Sequence, residues 1–267
     1  MADVKIKISD LRKSFGDKSV LQGIDLEVHA GESLVILGGS GSGKSVLLKH
    51  IIGLLRPDSG SVEVDGTDLC RLRGRELTEF RRRFGMAFQE GALFDSMPVR
   101  ANIAFPLLRR RGRHDHDAIE ARVDSCLELV GLEGHGDKLP SELSGGMRRR
   151  VGFARAIAHE PDILLFDEPT TGLDPVMTAI IDRVILDLLE GSDTTAITIT
   201  HDMTSAFRIA DRVAMLHGGR IIAVAEPDAF QSLDDARIQQ FIQGEAEGPL
   251  TTADDAPRRV HDAPTAP

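Results

Sequence analysis

The chain has 267 residues, 41% of them apolar, which is enough for a well-packed core in one large or two small domains. Its 32 Lys and Arg against 42 Asp and Glu give a formal net charge of −10, which argues against a protein whose main task is to hold a nucleic-acid backbone. The two cysteines, Cys70 and Cys126, lack metal-ligand spacing, so we expect buried thiols in a reducing compartment rather than disulfides or structural zinc.

The first quarter of the chain consists of short stretches with the alternation typical of β-strands. "VKIKIS", "GIDLEV" and "VEVDG" alternate polar and apolar residues, and Asp65 with Gly66 marks a turn. These stretches predict an antiparallel fringe on a larger sheet. The N-terminus lacks the basic and apolar regions of a secretory signal, so we expect a cytosolic chain. Apolar runs such as "SLVIL" are far shorter than the ~20 residues that span a bilayer.

The second half of the chain alternates strands and helices in the rhythm of a parallel sheet. From Ile163 onward, "ILLF", "TAITIT" and "RVAMLH" alternate with helical stretches around residues 176–190 and 203–210. A helical segment of roughly residues 95–160 precedes them and predicts an inserted subdomain in an α/β protein. After Gly244 the composition shifts to Pro, Ala, Thr and Asp, which predicts a loose tail.

A glycine-rich segment, "GGSGSGKS", follows the strand "SLVIL" and opens the helical run "VLLKHIIGLL". This is the context of a GxxxxGKS phosphate loop, whose glycines let successive backbone N–H groups curl around an anion. Lys44 can then reach the β- and γ-phosphates, and Ser45 can ligate Mg²⁺. The alternative is a glycine-rich turn that merely caps a helix. The order of strand, loop, Lys-Ser pair and helix disfavours it. The predicted nucleotide-binding residues here are Gly38, Gly39, Ser40, Gly41, Ser42, Gly43, Lys44, Ser45 and Val46.

Two acidic residues end the apolar strand in "DILLFDEP". Ligands of open α/β sheets bind at the carboxyl ends of the strands, so these carboxylates should face the phosphates. Asp167 is then placed to hold Mg²⁺, and Glu168 to accept a proton from, or orient, a water that attacks the γ-phosphate. A solvated pair at a strand end is the alternative.

Three single residues are ambiguous when they are considered one at a time. His201 ends "ITITHDM" and could contact a γ-phosphate, but spacing alone favours an ordinary histidine. Gln89, in "MAFQEGALF", is a lone glutamine of the kind that is usually just solvated. Phe15 could stack on adenine ahead of the phosphate loop or could equally belong to the core.

The segment "PSELSGGMRRRVGFARA" begins a predicted helix with two glycines, each of which costs a helix roughly 1 kcal/mol relative to alanine. Ser144 is a good N-cap, but a cap does not require Gly145 and Gly146 behind it. Close approach of backbone N–H groups to an anion does require small residues. The arginines at 148–150 fit a nearby negative charge or a solvated basic face equally well. Unlike the phosphate loop, this second candidate anion-binding segment lacks a lysine. It is therefore expected to contact a nucleotide that is bound by another subunit.

Together, these motifs resemble those of the ATP-binding cassette (ABC) family, and the resemblance extends to about residue 250. "GGSGSGKS" is similar to the Walker A motif, "LSGGM" to the signature, "ILLFDE" to the Walker B motif and "GLDP" to the D-loop. The remaining matches are the A-loop aromatic Phe15, the Q-loop residue Gln89, the D-loop residue Asp174 and the switch histidine His201. At Met147 the chain departs from the commoner glutamine.

The resemblance implies a P-loop (RecA-like) ABC ATPase core with an N-terminal antiparallel β subdomain and an inserted helical subdomain. The implied domain spans residues 1–243, with its core in 1–94 and 158–227 and the helical signature subdomain in 95–157. Residues 228–250 would form a C-terminal extension, which in similar systems reaches the facing ATPase, and 251–267 a flexible tail.

The family also implies ATP and Mg²⁺ as cofactors and a head-to-tail homodimer. The implied catalytic residues are Glu168, His201 and Gln89, and the implied metal ligands are Ser45, Gln89 and Asp167. In such a dimer each Lys44 site is closed in trans by Ser144, Gly145 and Gly146 of the facing chain.

Within the family, the chain is similar to ATPases of bacterial lipid transporters of the Mla and Mce-associated type. "FQEGALFDSMPVRANIAFPL", the signature with Met147, and "ARIQQFIQGEAEGPL" carry this narrower resemblance. It implies phospholipid transport at the cytoplasmic face of the inner membrane. The implied partners are a membrane permease, a small STAS-domain regulator and an MCE-domain lipid-binding protein, with no nucleic acid.

Three other functions compete with lipid transport. One is the ATPase of another ABC importer. A nucleic-acid maintenance ATPase on the same cassette would be expected to carry a long coiled coil, zinc cysteines or a basic groove, and none of these is found in the sequence. A module that switches on ATP without turnover is disfavoured by Glu168 and His201.

Overall fold

The computed structural model describes residues 3–89, 91–109 and 115–251. Its strands are β1 (Val4–Phe15), β2 (Lys18–His29), β3 (Ser33–Leu37), β4 (Ser59–Val64), β5 (Thr67–Asp68), β6 (Phe84–Ala87), β7 (Ile163–Asp167), β8 (Thr195–Thr200), β9 (Arg212–His217) and β10 (Arg220–Ala225). Its helices are α1 (Lys44–Ile51), α2 (Gly74–Phe80), α3 (Val99–Leu108), α4 (His116–Leu129), α5 (Gly145–Ile157), α6 (Pro175–Leu189), α7 (Met203–Ile209), α8 (Pro227–Gln231) and α9 (Ala236–Gln243).

The strands form two sheets. The first is antiparallel with the order β2-β1-β4-β5, and the predicted turn at Asp65 and Gly66 joins β4 to β5. Both turn residues have positive φ angles, 45° and 71°, which suit an Asp-Gly hairpin turn. The predicted antiparallel fringe is therefore confirmed.

The second sheet has the order β10-β9-β3-β8-β7-β6, and every neighbouring pair is parallel except β10 with β9. All five residues of β3 are buried, which explains why its sequence is a continuous apolar run rather than an alternation. Val35 and Leu37 face one apolar core, and Leu34 and Ile36 face a second one. The α/β prediction is confirmed.

The two cores hold the sheets and helices together. One packs helices such as α3, α5 and α6 onto the second sheet. The other lies between the two sheets and encloses α1 through Leu47, Leu48 and Ile51. As a result, α1 is packed between residues of both sheets, which gives the phosphate loop that leads into it a rigid support.

The structure also bears on the predictions for the cysteines, for membrane-spanning helices and for the C-terminal tail. Both cysteines are free, and Cys126 is buried as predicted, so burial raises the pKa of its thiol. The prediction was wrong for Cys70, which follows the short edge strand β5 and stays half-buried because that edge is only partly covered. No helix within the described ranges is long and apolar enough to cross a bilayer. Most of the predicted tail, from residue 252 onward, lies outside the described residues.

Candidate active site

The glycine-rich segment forms the loop between β3 and α1. Gly41 and Gly43 have φ angles of 76° and 107°, a region that favours glycine. A Cβ atom on Gly38 would lie 2.5 Å from the carbonyl oxygen of Leu216, so only glycine fits there. The loop thus brings backbone N–H groups and the N-terminus of α1 to one point, where they can bind an anion.

Lys44, the first residue of α1, is only 7% exposed. Its ammonium group donates to the carbonyl oxygens of Gly38 at 2.7 Å and Gly39 at 3.2 Å. The same nitrogen lies 3.3 Å from Oε1 of Glu168. These contacts hold the cation at the loop, opposite the acidic end of β7.

The site is assembled where parallel strands end. Leu37 at the end of β3 pairs with Thr200 at the end of β8, and Asp167 at the end of β7 pairs with Ile199. The phosphate loop, the acidic pair and His201 follow these neighbouring strand ends. The sheet order therefore brings the acidic pair and the phosphate loop together at the carboxyl edge of the sheet, as the sequence predicted.

Asp167 and Ser45 face each other across the loop. The Ser45 hydroxyl donates to Oδ1 of Asp167 at 3.4 Å. Burial, reinforced by the neighbouring Glu168 carboxylate, raises the pKa of Asp167. Two adjacent carboxylates and a hydroxyl provide hard oxygen ligands that favour a divalent cation.

Glu168 is positioned by contacts on both of its oxygens. Oε1 faces Lys44, whereas Oε2 accepts hydrogen bonds from the Thr171 hydroxyl and from Nδ1 of His201, each at 2.8 Å. Its φ angle is 50°, an uncommon value for a residue with a side chain. Such backbone strain persists only where the surroundings hold it and occurs often at functional sites.

Most of these groups line one cavity of about 910 Å³, a size that accommodates a nucleotide, whereas Gly38 and Asp167 are not among its described lining residues. The lining residues are Phe15, Lys18, Val20, Gly39, Ser40, Gly41, Ser42, Gly43, Lys44, Ser45, Val46, Gln89, Glu168, Thr171, His201, Gln240, Phe241, Gly244, Glu245, Leu250 and Thr251.

Most residues that the sequence singled out meet at this cavity. Phe15 is 48% exposed at its rim, with the Lys13 ammonium 5.5 Å from the ring centroid. The partly exposed ring therefore favours the stacking interpretation over the core alternative. Gln89 lines the cavity, and its carbonyl accepts from Nε of Arg149 at 2.6 Å. Roles in binding and catalysis stay predictions for all of these residues.

The signature segment lies apart from this cavity in the described chain. Ser144 caps α5, since its hydroxyl accepts from the backbone N–H of Met147 at 3.3 Å. Asp174 caps α6 by accepting from the backbone N–H groups of Val176 and Met177. Neither the residues predicted to act in trans, Ser144, Gly145 and Gly146, nor the D-loop residue Asp174 is among the described residues that line the cavity.

The arginines after the signature glycines bind backbone carbonyls instead of forming a solvated basic face. Arg148 donates to Leu143 at 2.7 Å, and Arg150 donates to Val130 at 2.8 Å. Arg149 reaches the carbonyls of Gln89 and Thr171. It thereby connects α5 to the loops that carry two cavity residues.

Sequence reasoning missed three groups of cavity residues. Lys18 and Val20 come from β2. Thr171 follows Glu168 by three residues in "DEPTTGLD", and this spacing within a turn is the signal that could have suggested the contact. No comparable signal marks the C-terminal residues, Gln240, Phe241, Gly244, Glu245, Leu250 and Thr251.

The residues of the site fit ATP with Mg²⁺. The hydroxyl oxygen of Ser42 is buried in the phosphate loop without a hydrogen-bond partner in the described structure, so an acceptor or donor from a ligand would satisfy it. Across the described ranges, no group of three or more His, Cys, Asp or Glu side chains could hold a metal ion. Mg²⁺ is usually bound through one or two protein ligands and substrate phosphates, which matches Ser45 and Asp167.

Comparison with known proteins agrees with this geometry. The profile of the family described as ABC transporter matches residues 21–171. The chain is 41% identical to the intermembrane phospholipid transport system ATP-binding protein MlaF of Haemophilus influenzae, over 92% of each chain. It is 42% identical to the probable ribonucleotide transport ATP-binding protein mkl of Mycobacterium leprae, over 92% of this chain and 71% of that protein.

A solved structure extends the likeness to the fold. An ATP-binding cassette determined as a dimer in a post-hydrolysis state, with ADP and Pi bound, superimposes with a TM-score of 0.77. It is 31% identical and covers 83% of this chain and 98% of its own.

Proposed function

Since this chain belongs to the ABC transporter family, we propose that it is the ATP-hydrolysing subunit that powers phospholipid transport through a membrane permease. One observation carries the ATPase assignment. Lys44, Glu168 and His201 form a connected set of contacts in the cavity, next to the pair formed by Ser45 and Asp167.

Each residue of this set has a task in hydrolysis. When bound, ATP with Mg²⁺ supplies a γ-phosphoryl group that a water molecule can attack. Lys44 and the loop N–H groups bind and neutralise phosphate oxygens, while Ser45 and Asp167 would hold the metal. Glu168 orients the water and accepts its proton, because Thr171 and His201 hold one oxygen of its carboxylate in place.

The lipid substrate is proposed from a relative that this chain matches over 92% of its length, the MlaF protein of Haemophilus influenzae. The mkl protein, whose name refers to ribonucleotide transport, is equally similar in identity and supports a second candidate substrate. We favour lipid because the identity to MlaF extends over 92% of both chains.

The proposal includes the assembly. Two copies pair head to tail, as dimeric packing of the similar cassette supports, and a permease couples them to the membrane at its cytoplasmic face. A STAS-domain regulator and an MCE-domain lipid-binding protein complete the complex. The segment 228–250 helps to hold the two ATPases together.

Purification of the tagged chain with its native membrane proteins tests the proposal. The complex is reconstituted in liposomes, and ATP-dependent transfer of a fluorescent phospholipid is compared with uptake of a radiolabelled ribonucleotide. We expect lipid transfer that a complex with Glu168→Gln does not support. Ribonucleotide uptake without lipid transfer would replace the lipid assignment, and a complex that contains no permease would contradict the coupling.

A further inference from the structure

The segment after α9 folds back across the nucleotide cavity of its own chain. Gly244 ends α9 in the left-handed conformation, with φ 68°, which lets the backbone reverse direction. We call residues 244–251 the C-terminal turn. It contributes Gly244, Glu245, Leu250 and Thr251 to the cavity lining, and α9 contributes Gln240 and Phe241.

Gln240 anchors the C-terminal turn from within. Its side chain is 4% exposed, its amide nitrogen donates to the carbonyl of Glu245 at 3.1 Å, and its Oε1 accepts from the N–H of Leu250 at 2.7 Å. A Cβ atom on Gly248 would lie 2.4 Å from the Gln240 side chain, so the turn is closely packed on this amide. The Thr251 hydroxyl accepts from the N–H of Gly248 at 3.1 Å and closes the turn.

Two of the cavity-lining residues of α9 and the C-terminal turn are apolar, Phe241 and Leu250, whereas Gln240, Glu245 and Thr251 are polar. Phe241 and Leu250 line the cavity together with Phe15 and Val20 from the first sheet. Both also border the adjoining recess beside the phosphate loop. A cavity of about 910 Å³ exists with the turn in place, so the turn forms a wall rather than a plug.

We propose that Phe241 and Leu250, positioned by Gln240, form an apolar wall of the nucleotide site that contacts the base of the nucleotide. This inference rests on the proposed nucleotide-binding function of the cavity. Apolar side chains offer phosphates neither hydrogen bonds nor charge, whereas a planar base gains from burial against them. The phosphates have their own partners in Lys44 and the loop N–H groups.

Calorimetric titration of the full chain with ADP and with pyrophosphate, each with Mg²⁺, separates base contacts from phosphate contacts. Leu250→Ala is expected to weaken ADP binding by about threefold to tenfold and to leave pyrophosphate binding unchanged. Gln240→Ala should act in the same direction, because the turn loses its anchor. Ile242→Ala is the matched control, since Ile242 is a half-buried aliphatic residue of the same segment outside the cavity lining.

The outcomes distinguish this inference from the function on which it rests. The proposed contact with the base would be overturned if Leu250→Ala left ADP affinity unchanged or made ADP bind more tightly. It would also be overturned if this variant lost affinity for ADP and pyrophosphate equally. Loss of ADP affinity in Ile242→Ala to the same extent would also overturn it. If the unmodified chain bound neither probe, the nucleotide site itself would be wrong. Leu250→Ala keeps the test decisive if Gln240→Ala fails to fold.

Discussion

Glu168 is held by groups that come from separate parts of the chain. Lys44 approaches one carboxylate oxygen, and Thr171 and His201 donate to the other. A left-handed backbone conformation costs a residue with a side chain about 1–3 kcal/mol, so these contacts must offset the strain at φ 50°. The carboxylate therefore has a defined position and direction in the cavity.

Replacement of this carboxylate by an amide tests its role as the proton acceptor. In Glu168→Gln, phosphate release should fall by about 10²- to 10⁴-fold, because the amide keeps the shape but accepts no proton. Nucleotide binding, measured by titration, should persist. Glu160→Gln is a control at another glutamate with a left-handed φ, 55°, outside the cavity lining. Normal turnover by Glu168→Gln would remove the general-base assignment.

Thr171 should act through Glu168 rather than on the nucleotide. Thr171→Val keeps the volume but removes the hydroxyl that donates to Oε2 at 2.8 Å. Loss of one such hydrogen bond, worth about 1–1.5 kcal/mol, predicts a roughly five- to tenfold lower kcat. Steady-state kinetics should show little change in KM and recovery in Thr171→Ser. A higher KM at unchanged kcat would contradict a positioning role.

Helix α5 contains one glycine with free space around it, Gly145, and one that is closely packed, Gly152. At Gly145, the nearest atom to an added Cβ is Nη2 of Arg148 at 3.9 Å, so its own chain leaves room for a side chain. At Gly152, an added Cβ would lie 2.9 Å from Cα of Gly91, so its own chain requires the glycine. Within the described residues nothing crowds a side chain at position 145, which is consistent with the proposed contact between this helix end and a facing chain.

Alanine at these two positions should therefore separate stability from activity. Gly145→Ala should leave the free energy of unfolding unchanged or raise it by up to about 1 kcal/mol, because alanine favours the helix. Its ATPase activity should nevertheless fall. Gly152→Ala, the matched comparison, should destabilise the fold in urea denaturation. Full ATPase activity in Gly145→Ala would argue against a trans contact at this glycine.

Helix α9 depends on a charged cap. Asp235 accepts from the backbone N–H of Arg237 at 2.9 Å, and hydrogen bonds from the Arg237 side chain lower the pKa of Asp235 from 3.8 to about 2. Because the folded-state pKa is depressed, this stabilisation is present above the unfolded value of 3.8 and is lost as the pH falls toward about 2.

The pH dependence can be measured as a difference between two proteins. Asp235→Ala should be less stable than the unmodified chain in urea denaturation at about pH 7. The gap should narrow at about pH 3, where the carboxylate of the unmodified chain begins to protonate. Asp228→Ala, a change at an exposed aspartate in the neighbouring helix α8, controls for general acid effects. If the difference in free energy of unfolding between the two proteins grew as the pH fell, the depressed pKa of Asp235 would not be the source of the stabilisation.

The phosphate loop and the predicted signature segment lie in different parts of the described chain. The Lys44 loop lies at the carboxyl edge of the second sheet, whereas Ser144 and Gly145 begin α5 and lie outside the cavity lining of the described chain. A second copy of the chain, arranged head to tail, can bring the two segments together.

Mixed dimers test this arrangement. Lys44→Ala and Ser144→Arg chains should each be inactive alone, because every homodimeric site then lacks one intact segment. In a mixture, heterodimers combine the intact Lys44 loop of one chain with the intact signature of the other. ATPase activity should therefore recover in proportion to the heterodimer fraction. A mixture that stays inactive, although native mass spectrometry detects heterodimers, would contradict sharing of sites.

The sequence by itself determined the local features of this protein. The strands, the Asp-Gly turn and the phosphate loop could be predicted because they depend on side-chain periodicity and on the backbone freedom of a few neighbouring residues. The position of Glu168 at a strand end followed from the same pattern and from the general rule for α/β sheets.

Contacts between distant parts of the chain were decided by the tertiary structure alone. Glu168 and His201 are 33 residues apart, and they meet because β7 and β8 are neighbours in the sheet. Likewise, the Arg149 contact to Gln89 and the C-terminal turn over the cavity bring together segments with no shared local pattern. Strand order and helix packing arise from the burial of apolar faces across the entire core, which no single segment encodes.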